Sequence, residues 1–240
     1  MEPFIIQLTY LAALIFIVGI MGTLALFRFQ YDDFLESGLA LKIAVWIPLW
    51  ILYIVAAYNY FTAFIFFIVA LSLIEVFWTN KNAPLAPRLV YSALFTTGIG
   101  FFAVFVGQSS DPSAVALSLL AACALSDVVA FFAGRAFGYH ALPVSVNPRK
   151  SWEGVFGQFV GGVAGIMCIG TLGVPGIPLG VALSVGFGSA CGDLANSLFK
   201  RITKVDSWSA AIPGHGGVCD RFASIAGTGF FLLLVMLFHS

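Results

Sequence analysis

The sequence predicts an all-α polytopic integral membrane protein of about eight transmembrane helices, with its functional site at the cytoplasmic edge. Three observations predict it. The chain of 240 residues is 60% hydrophobic and only 9% charged, against about 25% charged in an ordinary soluble domain. Its mean hydropathy is +1.02. Its apolar runs are long and unbroken, as in FTAFIFFIVALSLIEVFW from residue 61. Membrane β-barrel strands alternate every second residue over about ten residues, so continuous runs of this length read as helices. The same composition excludes intrinsic disorder, which needs low hydrophobicity and high charge. Eleven basic and eleven acidic residues leave no net positive field for nucleic acid. The four cysteines, Cys123, Cys168, Cys191 and Cys219, show no paired spacing for a disulfide framework.

A spanning helix needs about 20 mostly apolar residues. Candidate spans cover residues 4–27, 39–57, 60–78, 89–106, 113–132, 154–172, 177–195 and 222–238. The Tyr58-Asn59-Tyr60 break between the second and third is the weakest, and one long bent element is the alternative. The first span reads as retained: its start carries Glu2, not a basic residue, and its apolar run is too long for a cleaved signal. The Gly-Val-Pro-Gly-Ile-Pro stretch at 173–178 reads as a tight turn. The chain is expected to form a single membrane domain over 1–240. Within it, 1–112 is an amino-terminal transmembrane half, and 113–240 is a carboxyl-terminal half carrying the chemistry.

Charge placement supports this count. Arg28, Lys42, Lys81, Arg88, Arg135, Arg149, Lys150, Lys200, Arg201, Lys204 and Arg221 all fall on one face of the eight-span topology. The positive-inside rule makes that face cytoplasmic and puts both termini outside, in the cell's inner or plasma membrane.

Ionisable groups in or at the end of a span are costly, and so point to function. Asp127, Asp193, Asp220 and Glu153 are expected at one depth on the basic side, with Glu75 at a similar depth. Carboxylates converging beside cations fit a divalent metal and phosphates, because Mg²⁺ takes hard oxygens, often one or two carboxylates plus substrate phosphate. The alternative is local pairing, Asp220 with Arg221 and Asp127 with Arg135, merely orienting helix ends. The loop Ile212-Pro213-Gly214-His215-Gly216-Gly217 is a second clue. Its glycines permit close approach and positive φ, its N–H groups can form an anion nest, and it leads into the last span, whose amino end adds dipole. His215 has three readings: phosphate ligand, proton shuttle or turn cap.

Several stretches occur in a recognisable order. They are Ser126-Asp127 with Ala130-Phe131-Phe132-Ala133-Gly134-Arg135; Asn147-Pro148-Arg149-Lys150-Ser151-Trp152-Glu153-Gly154; Gly192-Asp193-Leu194 with Ser197 and Lys200-Arg201; and Pro213-Gly214-His215-Gly216-Gly217 with Asp220-Arg221. Together they resemble the motifs of the phosphatidate cytidylyltransferases (CDP-diacylglycerol synthases), including the distance from Arg201 to Pro213. The second stretch is similar to that family's Ser-Pro-Lys-Lys-Thr-Trp-Glu-Gly. The resemblance runs from about Leu125 to Ser224, with Glu75 a loose counterpart in the amino half.

The resemblance implies transfer of CMP from CTP to phosphatidic acid or a related lipid phosphate, with Mg²⁺ required, membrane lipids as surroundings and no nucleic acid. A homodimer is one assembly open to it. Asp193 and Asp220 are then metal ligands and catalytic, with Asp127 and His215 as further catalytic groups. Arg135, Lys150, Ser151, Ser197, Lys200, Arg201, Gly214, Gly216, Gly217 and Arg221 contact substrate. The chain departs from the pattern where Asn196 replaces Glu, Asp206-Ser207 replaces Lys-Asp, and Ala223 replaces a second Asp. These departures keep other readings open: another CTP-dependent lipid transferase, a polyprenol kinase-like enzyme or a catalytically degenerate homologue. A small transporter is a fourth, but the inverted repeats and mid-membrane helix breaks it calls for are not seen.

Overall fold

The computed structural model describes residues 19–20, 22–23, 39–79, 81–170 and 178–239. Most of the first expected span, the cation Arg28 and nearly all of the 173–178 turn lie outside them. Among the described residues the structure is helical, with two isolated bridges, Ala141 with Ser151 and Ile212 with Gly216.

Helix α1 is Leu39–Asn59 and α2 is Phe61–Ile74. They are separate elements, as the Tyr58–Tyr60 break predicts: Tyr60 has φ −140° and ψ 39°, outside the helical region. A π-helical turn, Glu75–Thr79, continues α2. Then follow α3, Leu85–Gly107; α4, Pro112–Phe137; α5, Trp152–Gly170; α6, Leu179–Thr203; and α7, Val218–His239. Among the described residues, five segments are long and apolar enough to cross a membrane: Phe61–Thr79, Leu85–Gly107, Pro112–Phe137, Trp152–Gly170 and Val218–Phe238.

Several helices run past the limits that hydropathy sets, because caps end a helix and lipid preference does not. Asp111 accepts from the Ala114 N–H at 3.0 Å, with Pro112 as the first helical residue. Ser151 Oγ accepts from the Gly154 N–H at 3.2 Å and starts α5. Helix α6 does not stop near Ala195. It continues to Thr203 and closes where Lys204 turns left-handed (φ 58°) and the Val205 N–H returns to the Lys200 carbonyl at 2.9 Å. Asp193 therefore lies well inside a helix, not at its end.

Lipid offers no hydrophobic drive between helices, so close backbone packing must supply the association. Helix α5 presents Gly154, Gly157, Gly161 and Gly165 to α4. A Cβ on Gly157 would come 2.5 Å from the Ala133 methyl, and one on Gly161 2.7 Å from Val129 Cβ. Helices α6 and α7 approach as closely: a Cβ on Gly192 would come 2.1 Å from the Ala223 carbonyl oxygen, and one on Gly188 2.3 Å from Thr228 Cα. These pairs run antiparallel. They bring the ends of α2, α4 and α6 and the starts of α3, α5 and α7 to the same end of the bundle.

Candidate active site at one end of the bundle

The polar residues of that end fall into three groups, the first two joined through Asp220. The first is the amino end of α7. The loop before it turns on Gly214 (φ 73°) and Gly216 (φ 81°), conformations that a side chain strains. The Ile212 N–H donates to the Gly216 carbonyl at 2.9 Å and closes the turn. His215, 7% exposed, points its Nδ1 to within 3.2 Å of the Pro213 carbonyl. The amino end itself is occupied by protein carboxylates. Glu75, from the π-helical turn, accepts from Val218 N–H at 2.7 Å, Cys219 N–H at 3.0 Å and the Ser209 hydroxyl at 2.7 Å. Asp220 Oδ2 accepts from Gly217 N–H at 3.1 Å and Trp208 N–H at 3.3 Å. Protein carboxylates thus occupy the helix end at which the sequence places an anion nest and dipole for substrate phosphate. Buried N–H groups need partners, and here Glu75 and Asp220 supply them at Gly217, Val218 and Cys219. Gly217 is a close-approach glycine: a Cβ there would come 2.5 Å from Glu75 Oε2.

The second group surrounds Asp220 Oδ1. Lys200 donates to it at 2.6 Å and Asn196 Nδ2 at 3.2 Å. Asn196 Oδ1 in turn accepts from Trp208 Nε1–H at 2.7 Å and the Tyr91 hydroxyl at 2.8 Å. Tyr91 and Trp208 stack with ring centroids 4.5 Å apart. The third group lies between α4, α5 and α6. Lys150 pairs with Asp193. Asp127 Oδ1 accepts from Gln158 Nε2 at 2.8 Å and Ser224 Oγ at 3.0 Å, and its charged neighbours are Asp193, Arg221 and Lys150. Arg221 has a buried Nε with no hydrogen bond. The local alternatives, Asp220 with Arg221 and Asp127 with Arg135, are not the ion pairs formed. Lysines from other elements take that role for Asp220 and Asp193, and neutral donors hold Asp127.

The remaining predicted residues are distributed as follows. Ser197 is buried on α6. Ser151 spends its hydroxyl on the α5 cap. Arg201 pairs with the exposed Asp206 at 3.1 Å. Arg135 is exposed in the last turn of α4. Glu153 pairs with His140 at 2.5 Å and pins the α4–α5 loop. Arg88 is buried and donates to the Pro84, Phe77 and Lys81 carbonyls, so it holds the α2–α3 turn. Tyr91, Gln158, Trp208 and Ser224 complete the site and carry no linear signal. Each lies in an ordinary apolar or loop stretch, and only the fold shows what it faces.

Among the described residues no three His, Cys, Asp or Glu side chains stand close enough together to hold a metal ion. Asp193 and Asp220 still fit a divalent cation in kind. Both are hard oxygen donors, each is balanced by a flexible ammonium, and a Mg²⁺ site completes its shell with water and substrate phosphate.

The fold and this end of it define a class: a polytopic helical membrane protein with half-buried and buried acids, paired to lysines, gathered at one end of its bundle. The chain belongs to the cytidylyltransferase family, whose model matches residues 3–239. It is 34% identical over 161 residues to the chloroplastic phosphatidate cytidylyltransferase 5 of Arabidopsis thaliana, covering 64% of this chain and 39% of that protein. It is 41% identical over 106 residues to the phosphatidate cytidylyltransferase of Pseudomonas aeruginosa (42% and 39%). It is 38% identical over 116 residues to that of Haemophilus influenzae (44% and 40%). The chain thus spans about two-fifths of the length of these relatives, 39 to 40%.

Proposed function

We propose that the protein transfers CMP from CTP to phosphatidic acid, forming CDP-diacylglycerol and pyrophosphate. A phosphate oxygen of the lipid attacks the α-phosphorus of CTP. The bond from that phosphorus to the bridging oxygen of the β-phosphate breaks, and pyrophosphate leaves with the electron pair. The observation that carries the reading is the pairing of Asp193 with Lys150 and of Asp220 with Lys200 at one end of the bundle. It lies within residues 3–239, which match the cytidylyltransferase family.

Transfer of this kind needs mainly positioning and charge neutralisation. In this reading Asp193 and Asp220 hold Mg²⁺, which supplies positive charge to the phosphates when bound. Lys150 and Lys200, released from the two acids, turn to phosphate oxygens, and Arg201 and Arg221 add charge around them. Asp127, held by Gln158 and Ser224, keeps Lys150 and Arg221 in place by its charge. His215 supports the turn that presents Asp220. Eight spans, the basic loops in the cytoplasm and both termini outside complete the arrangement: CTP arrives from the cytosol and the lipid from the bilayer. The changes at Asn196, Ser207 and Ala223 favour a second reading, in which another lipid phosphate is the acceptor.

The test is turnover of the purified protein with Mg²⁺, CTP and phosphatidic acid in mixed micelles. Pyrophosphate release and CDP-diacylglycerol are the expected products, and Asp220→Ala abolishes both while the protein stays folded. Turnover only with an isoprenoid phosphate or another phospholipid establishes the second reading. No turnover with any of them overturns both.

A further inference from the structure

Asn196 replaces the glutamate of the pattern that the chain resembles, and its surroundings show what the amide does. The side chain is 2% exposed. Trp208 Nε1–H and the Tyr91 hydroxyl converge on its Oδ1 at 2.7 and 2.8 Å. An indole nitrogen only donates, so the buried Trp208 decides which end of the amide it meets. The oxygen must face the indole, and the NH₂ must face Asp220, where it donates to Oδ1 at 3.2 Å. The stack of Tyr91 on Trp208, with an interplanar angle of 13°, fixes both donors as one unit. A carboxylate at this position would satisfy Tyr91 and Trp208 equally well. It would then turn an acceptor and a second negative charge towards Asp220.

We propose that Asn196 is a positioning residue for Asp220. Its oriented amide holds the Asp220 carboxylate through Oδ1 and keeps one negative charge out of the site. The amide acts on Asp220 from behind and does not itself touch substrate. Residue 196 thereby sets how strongly the site attracts a divalent cation. The inference rests on the proposed role of Asp220 as a Mg²⁺ ligand.

The experiment is calorimetric titration of MgCl₂ into the full-length protein in detergent, without substrate, beside thermal unfolding of the same samples. Groups that orient a ligand typically change metal affinity by about 10–100-fold when altered. Asn196→Ala weakens Mg²⁺ binding about tenfold, because Asp220 loses its donor. Asn196→Asp strengthens it about tenfold, because two carboxylates then face one cation. A purely structural asparagine would make both variants less heat-stable and leave both affinities at the wild-type value, and that result overturns the inference. Should Asn196→Asp fail to fold, Trp208→Phe removes the donor that orients the amide and keeps every charge and an aromatic ring against Tyr91. It weakens binding in the same direction as alanine, and unchanged affinity overturns the inference again. Wild-type protein that binds no Mg²⁺ overturns the cation role itself, and is distinguishable because it needs no variant.

Discussion

The carboxylate of Glu75 lies 2.7 Å from the backbone nitrogen of Val218. An acid from the amino half of the chain, carried on a π-helical turn, thus caps the helix that carries Asp220 in its first turn. Glu75 was visible in the sequence as an ionisable residue at the depth of the other acids. Its work is on the Val218 and Cys219 N–H groups of α7, and through them on the placement of Asp220, the residue that follows.

Glu75→Ala strips the acceptor from Val218 and Cys219 N–H, both buried. An orphaned buried donor costs about 1–3 kcal/mol. The expected result is a clear fall in the thermal unfolding temperature in detergent. Glu75→Gln keeps one acceptor oxygen and falls less. An unchanged unfolding temperature for Glu75→Ala would show that the cap does not form.

Asp127 offers a double-mutant cycle. Gln158 and Ser224 donate to the same oxygen, Oδ1. Residues sharing one partner show interaction energies of about 0.5–3 kcal/mol. Gln158→Ala and Ser224→Ala should therefore be non-additive in unfolding free energy, and the coupling should vanish in an Asp127→Ala background. Simple additivity in the wild-type background would remove Asp127 from that network.

Gly161 and Gly100 separate packing from helix propensity. A Cβ on Gly161 meets Val129 Cβ at 2.7 Å and Ser126 Cα at 3.1 Å, whereas one on Gly100 has nothing within 4 Å. Alanine is favoured over glycine in a helix by about 0.8–1 kcal/mol. Gly100→Ala is expected to be neutral or stabilising. Gly161→Ala is expected to be destabilising, because overpacking costs about 1–3 kcal/mol. Thermal unfolding of the two variants side by side checks the contrast, and equal effects would refute the close α4–α5 contact.

The class of the protein was legible in its composition. Lipid excludes charge, so a chain with so few charged residues and such long apolar runs had to be helical and membrane-embedded, and its few acids and cations had to mean something. The acids that the fold gathers at one end of the bundle were legible for the same reason: Asp127, Asp193 and Asp220 stand out because a span tolerates few ionisable groups. The Tyr60 break was legible too. Which partner each acid takes was not. Asp220 sits beside Arg221 in sequence, yet its ion pair is with Lys200 on α6. The glycine loop reads as a phosphate cradle, yet Asp220 and Glu75 use its last N–H group and the two that follow it.

Sequence by itself determined the solvent of this protein, its helices and the candidate residues for its chemistry, because hydropathy and residue type are local properties. Tertiary structure alone decided what those residues face. Hydrogen bonds such as Tyr91 to Asn196 and Val218 to Glu75 join positions far apart in the chain. They exist only once glycine-lined helix faces, such as Gly192 against Ala223, have brought the helix ends together.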